Sequence, residues 1–284
     1  MLESPVTHSR ALVASRAMCR IGVVGLVLTV VTYLLTTFTT AGQVIVDDVW
    51  LARVSEGRGL LKASRDLLEL IDLGTVAGVV IALVAVSAVG GRWRAGAALG
   101  IGLIGAVASA EVLKVVLPRP DLAPRIEAMM GAHAANSFPS GHVTIVTASV
   151  IAALILIPAA HRGAPTLLAG LLVAAVSCAV VAAGWHRPSD ALGGLGWGLA
   201  WQCLMAAVVI KRFGRDARST RPVRWWGPTA SGLIMATVVL VALLGSIQKW
   251  QWSFALAEGV LASAAVIAIT ATGWALRNVD VTTR

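Results

Sequence analysis

The chain is 284 residues long, 57% hydrophobic and only 13% charged, with a formal net charge of +9. Soluble domains carry about 25% charged residues, so an ordinary soluble protein is excluded and lipid is indicated as the solvent. The positive charge is parcelled among the gaps between apolar runs and forms no continuous basic stripe, which excludes nucleic acid as a partner.

A membrane-spanning helix needs about 20 apolar residues. Eight segments qualify, at roughly 19–41, 73–90, 95–117, 141–160, 165–185, 190–210, 228–247 and 253–276. Residues 1–18 carry Arg10 and Arg16 and read as a cytoplasmic N-terminal segment. The first span is longer than a signal-peptide core and no small-residue cleavage site follows, so it is expected to remain as an anchor. The 44–72 segment mixes Leu51, Val54, Leu60, Leu61, Leu67, Leu68 and Leu70 with charges at helical spacing. That pattern predicts an amphipathic helix lying on the outer surface, either covering a site or capping the bundle.

Basic residues mark alternate gaps. Arg92 and Arg94 separate spans 2 and 3, and Arg162 separates spans 4 and 5. Lys211, Arg212, Arg215, Arg218, Arg221 and Arg224 crowd a 211–226 linker that ends in Trp225-Trp226, and Arg277 and Arg284 follow the last span. Basic loops stay on the cytoplasmic side. Both termini are therefore expected inside, with the loops near 42–72, 118–140, 186–189 and 248–252 outside. Cys19, Cys178 and Cys203 fit no zinc or disulfide spacing and read as packing residues.

The chemistry gathers at the expected outer ends of spans 3 to 6. Ionisable groups in a membrane are functional candidates by default, and Glu111, Lys114, Asp190 and Glu258 are such groups. Ser140-Gly141-His142 opens span 4, where a hydroxyl and free helix N–H groups suit an anion and the imidazole suits proton donation. His186 lies four residues before Asp190, close enough for the carboxylate to orient one ring nitrogen and leave the other as nucleophile or base. Lys114 and Arg119 flank the end of span 3 and can neutralise phosphate, with Arg187 beside His186. Each feature also has a plain structural reading: Ser140 and Ser189 or Asp190 as helix caps, Lys114 as a side chain reaching for the interface. Taken together, the residue types favour a phosphate ester as ligand. His133 and Arg125 fall in the 118–140 loop, where His133 reads as solvated, and Glu258 is expected to pair with another helix or face a cavity.

The order Lys114…Arg119-Pro120, Pro139-Ser140-Gly141-His142 and Gly184-Trp185-His186-Arg187-Pro188-Ser189-Asp190 resembles the type 2 phosphatidic acid phosphatase (PAP2) family, which shares its site with vanadium haloperoxidases. The resemblance covers about 73–210. It implies an all-α, polytopic membrane helix bundle: a six-helix PAP2-like core over 19–210, the 211–226 linker, and two further transmembrane helices within 227–284. It also implies a hydrolysis that uses no metal and no cofactor. His186 would attack phosphorus, Asp190 would orient it, and His142 would protonate the leaving oxygen. Lys114, Arg119, Ser140, Gly141 and Arg187 would hold the phosphoryl oxygens. The expected substrate is a phosphorylated lipid in the bilayer of the cytoplasmic membrane, a phospholipid or a polyprenyl (pyro)phosphate, met at the outer face. A phosphotransferase using the same histidine, or a degenerate lipid-binding protein, remains open. Two positions depart from the family pattern. Asp121 stands where the first motif has its arginine, and Ala179-Val180 stand where the third has Ser-Arg. Arg187 or Arg125 would have to serve instead.

Overall fold

The computed structural model describes residues 9–53, 57–123, 136–217 and 249–281. Among them the chain forms helices α1 (Ser9–Thr37), α2 (Thr40–Ala52), α3 (Arg58–Leu68), α4 (Leu73–Val89), α5 (Trp93–Val116), α6 (Gly141–Leu156), α7 (Gly163–Ala182), α8 (Pro188–Phe213) and α9 (Lys249–Ala275). A two-stranded antiparallel pair, β1 (Gly214–Asp216) with β2 (Val279–Val281), is the one sheet in this set. Five helices, α1, α5, α7, α8 and α9, are long and apolar enough to cross a membrane; α3 and α4, bent by 50°, pass that test only as a pair. The outward faces of the bundle are apolar: Val24, Val27 and Leu35 on α1, Ile101 and Val115 on α5, and Leu168 on α7 are all exposed. Helices that are hydrophobic all round belong in lipid, and this is a multi-pass membrane bundle.

Several boundaries differ from the sequence expectation. α1 begins before Arg10, because arginine is a good helix former and its stem can lie along apolar surface while the charge reaches water. The expected surface helix over 44–72 is instead two helices. α2 buries Gln43, Val46, Asp47, Val49, Trp50 and Ala52 against the bundle, and only α3 keeps a broad exposed face. The break before α4 is a capping box: the Asp72 carboxylate accepts from the Thr75 N–H at 2.7 Å. α6 stops at Leu156, four residues early. Arg162 is no free loop charge. It is 1% exposed and donates to the carbonyls of Ile157, Leu276 and Val279. Burial pulls its pKa down to about 10, against the opposing pull of Asp280. Arg92 likewise reaches the carbonyls of Leu156 and Val281, and Arg10 lies 3.9 Å from Asp216. These basic residues therefore share one end of the bundle with the β1–β2 pair. Of the 211–226 linker, Lys211 and Arg212 belong to α8. Residues 218–226 and the seventh expected span, 228–247, lie outside the described residues.

α8 is the central helix and packs against α1, α5 and α6. Its glycines explain the position. A Cβ on Gly196 would stand 2.5 Å from Thr29 Oγ1 and 2.6 Å from the Gly25 carbonyl, so only hydrogen lets α1 approach this closely. Thr29 closes the contact, its hydroxyl donating toward the Gly25 carbonyl at 3.0 Å and the Gly193 carbonyl at 3.2 Å. Gly78 on α4, by contrast, has open space around it. Gly196→Ala should therefore lower the melting temperature in detergent, by the equivalent of about 1–3 kcal/mol for an overpacked contact. Gly78→Ala should leave it unchanged or slightly raised. Circular dichroism melts of the two variants check this.

Candidate active site

The site lies at the end of the bundle opposite Arg92 and Arg162, where α5 and α7 finish and α6 and α8 begin. α8 starts with Pro188 in its first turn, where the missing N–H costs nothing. Three residues into the helix comes Asp190, 1% exposed. A buried carboxylate needs donors, and it has them. Oδ2 accepts from Ser137 Oγ at 2.5 Å and from the Arg187 N–H at 3.0 Å, and Oδ1 faces Ser189 Oγ at 3.4 Å. The Asp190 carbonyl accepts the Ser140 N–H at 2.8 Å, which fastens the loop before α6 to the start of α8.

His186 is 8% exposed, and its Nδ1 stands 3.5 Å from Asp190 Oδ2. That is ion-pair range and long for a hydrogen bond, as catalytic contacts often are before substrate binds. The turn that carries it is fixed from three directions. Gly184 has φ +75°, a left-handed conformation that favours glycine. The N–H groups of Trp185 and His186 both donate to the Val180 carbonyl, at 3.0 and 3.1 Å. Trp50 Nε1, from α2, donates to the Gly184 carbonyl at 3.1 Å, while Arg53 stacks over the Trp50 ring at 3.3 Å. Burial and the nearby Arg65 hold the Arg53 pKa below its ordinary value.

The opening of α6 faces this turn. His142 lies 5.3 Å between ring centres from Trp185, the two rings tilted by 55°, and is within Coulombic reach of His186, Lys114 and Glu111. Ser140 Oγ is fully buried with no partner among the described residues. Lys114 Nζ pairs with Glu111 Oε1 at 2.6 Å. A Cβ on Gly141 would lie 2.9 Å from that carboxylate and 3.3 Å from the ammonium, so the pair sits directly over the first turn of α6. Lys114, Ser140, Gly141, His142, His186 and Asp190 are thus brought together from α5, α6 and the α7–α8 turn.

Arg119 and Arg187 are drawn elsewhere in the same region, onto one acid. Asp47 of α2 is 0% exposed; its Oδ1 accepts from Arg187 Nε at 2.5 Å and lies 3.4 Å from Arg119 Nη2. The sequence pattern places Asp47 in the outer 42–72 loop and does not mark it as a site residue. Its signal was available, because it falls on the same helical stripe as Gln43, Val46 and Trp50. Gln43, also missed, holds the stretch that carries Arg119. Its Nε2 donates to the carbonyls of Thr37 and Pro120, at 2.8 and 2.6 Å, and its Oε1 accepts from the Leu122 N–H at 3.1 Å. Val180 is fully buried in the apolar core and brings no charge to the site. Glu258 meets α7, its carbonyl accepting from Cys178 Sγ at 3.6 Å. Arg125 and His133 lie outside the described residues.

Residues 95–214 match the model of the PAP2 superfamily. The match runs from the first turn of α5 to the end of α8 and takes in every residue expected at the site, so the chain carries a PAP2 domain. Searches of curated proteins and of solved structures found no match. The domain and the membrane-length helices together support a membrane phosphatase of the PAP2 type.

Gln43→Leu should strip two carbonyls and one amide of their partner. The expected loss is about 1–3 kcal/mol of stability, with faster amide hydrogen exchange at Leu122. Thermal unfolding and exchange mass spectrometry read the two effects.

Proposed function

We propose that this protein is a lipid phosphatase that cleaves a phosphomonoester or pyrophosphate from a phospholipid or polyprenyl lipid through a phosphohistidine. The observation that carries this reading is the pairing of His186 with the buried Asp190, with His142 within Coulombic reach. With Nδ1 turned to Asp190, Nε2 is the ring nitrogen left to attack phosphorus. The N–P bond forms as the P–O bond to the lipid breaks, and His142 gives its proton to the departing oxygen. Water then attacks the phosphohistidine, its proton passing to His142, and inorganic phosphate leaves. Lys114, Ser140 and the free N–H groups at Gly141 are suited to the phosphoryl oxygens as charge shifts among them. Arg119 and Arg187 would add guanidinium charge from the side of α2.

The substrate class follows from the surroundings. A site at the mouth of apolar helices suits a headgroup whose tail stays in the bilayer. Arg92, Arg162 and Arg212 occupy the other end, and basic ends stay cytoplasmic; this supports an extracytoplasmic site in the cytoplasmic membrane.

His186→Ala should reduce phosphate release from phosphorylated lipids by on the order of 10³-fold or more, while the protein still inserts and purifies as a folded species. Wild-type release should persist in excess chelator. A colorimetric phosphate assay over a panel of lipid mono- and diphosphates checks both; undiminished turnover in the variant rejects the assignment.

A further inference from the structure

Asp47 lies outside the 95–214 match, yet it binds both arginines expected to serve the phosphate. We propose that Asp47 is a positioning residue of the site: its carboxylate sets the orientation of Arg119 and Arg187, which together supply the guanidinium charge that Val180 lacks. This inference rests on the phosphatase reading above.

The geometry is that of a built feature. Asp47 is completely buried, and the side chains of Arg119 and Arg187 are 4% and 2% exposed. Three charges do not enter a protein interior without a use for their mutual attraction, because each is costly to remove from water. One carboxylate oxygen is shared by two guanidinium groups arriving from unrelated places, Arg119 after α5 and Arg187 before α8. The second oxygen, Oδ2, is buried with no partner among the described residues. The acid therefore meets both arginines through the one oxygen Oδ1.

The acid is also held firmly. α2 is bolted to the two segments it serves: Gln43 grips Pro120 and Leu122 on one side, and Trp50 grips Gly184 on the other. Asp47 lies between them, four residues after Gln43 and three before Trp50, on the same face of α2. Arginine is a long, rotamer-rich side chain, and a fixed anion at Nε orients its planar fork. Arg187 follows His186 directly and is within Coulombic reach of Asp190. Orienting it therefore acts on the groups around the attacking nitrogen.

The test uses the full-length protein in detergent, with dioleoyl phosphatidic acid as substrate and orthovanadate as a phosphate-like anion. Asp47→Asn keeps the shape and removes the charge. The expected outcome is a fall in kcat of about 10–100-fold, the usual scale for an orienting partner, with KM changed less than about threefold. Weaker vanadate inhibition should accompany it. Activity is normalised to folded protein, so a fall in melting temperature alone would not produce this pattern. A double variant gives the second reading. If Asp47 acts through the two arginines, Asp47→Asn with Arg187→Gln loses clearly less than the product of the two single losses, because only the Arg119 contribution is left to remove. Full activity per folded molecule in Asp47→Asn, or a double variant in which the two losses multiply, overturns the proposal. So does tighter vanadate binding with faster turnover, which would make Asp47 a competitor of the substrate. Should Asp47→Asn not fold, the cycle is run with Asp47→Ser and read the same way. A wild-type protein that neither releases phosphate nor gains thermal stability with vanadate overturns the phosphatase reading, and the proposal with it.

Discussion

The buried carboxylate of Asp190 is the constraint around which the rest is arranged. An ionised group removed from water must collect hydrogen bonds, and the chain supplies them from two places far apart in sequence: Ser137 ahead of α6 and the Arg187 N–H ahead of α8. Satisfying Asp190 therefore draws the Pro139-Ser140-Gly141-His142 loop onto the turn that carries His186. The approach needs room, which Gly193 and Gly194 provide on the next turn of α8. Side chains there would run into the Phe138 ring and the Ser140 carbonyl. Small residues, close backbones, a satisfied acid and two imidazoles within Coulombic reach of each other form one causal sequence.

A second tier lies behind the first. α2 contributes no residue to the matched domain, yet Gln43, Asp47 and Trp50 each hold a segment that carries a site residue. The result is a balanced array of charge. Lys114 faces Glu111, Arg119 and Arg187 face Asp47, and His186 faces Asp190. In the proposed function an incoming oxyanion would not meet bare cations; it would compete with carboxylates already in position. Such a site would discriminate by geometry more than by charge alone, because only an anion that reaches several donors at once recovers what the existing pairs give up.

Among the described residues five of the expected spans were legible, because lipid imposes a length and an apolar composition that single residues cannot disguise. The residues of the matched motifs were legible because their chemistry is unusual in a membrane. Boundaries were less so: α1 starts early and α6 stops early, since arginine tolerates helix and a loop can begin inside an apolar run. The role of α2 was hidden by its charges, as Asp47-Asp48 looks like a loop until burial shows that Asp47 alone faces inward. Arg162 was hidden by distance. Its acceptors at Leu276 and Val279 lie more than a hundred residues away, and no local pattern announces them.

That last contact bears on how the protein is made. Arg162 sits between α6 and α7, but two of the carbonyls that receive its guanidinium belong to Leu276 and Val279, which follow α9. Until α9 has been threaded into the bilayer and β2 has met β1, the α6–α7 junction keeps a cation with part of its coordination missing. The residues of the proposed site lie on or before α8, whereas the opposite end also needs the residues that follow α9. The α6–α7 junction is therefore completed by strand β2, at the end of the bundle away from the proposed site.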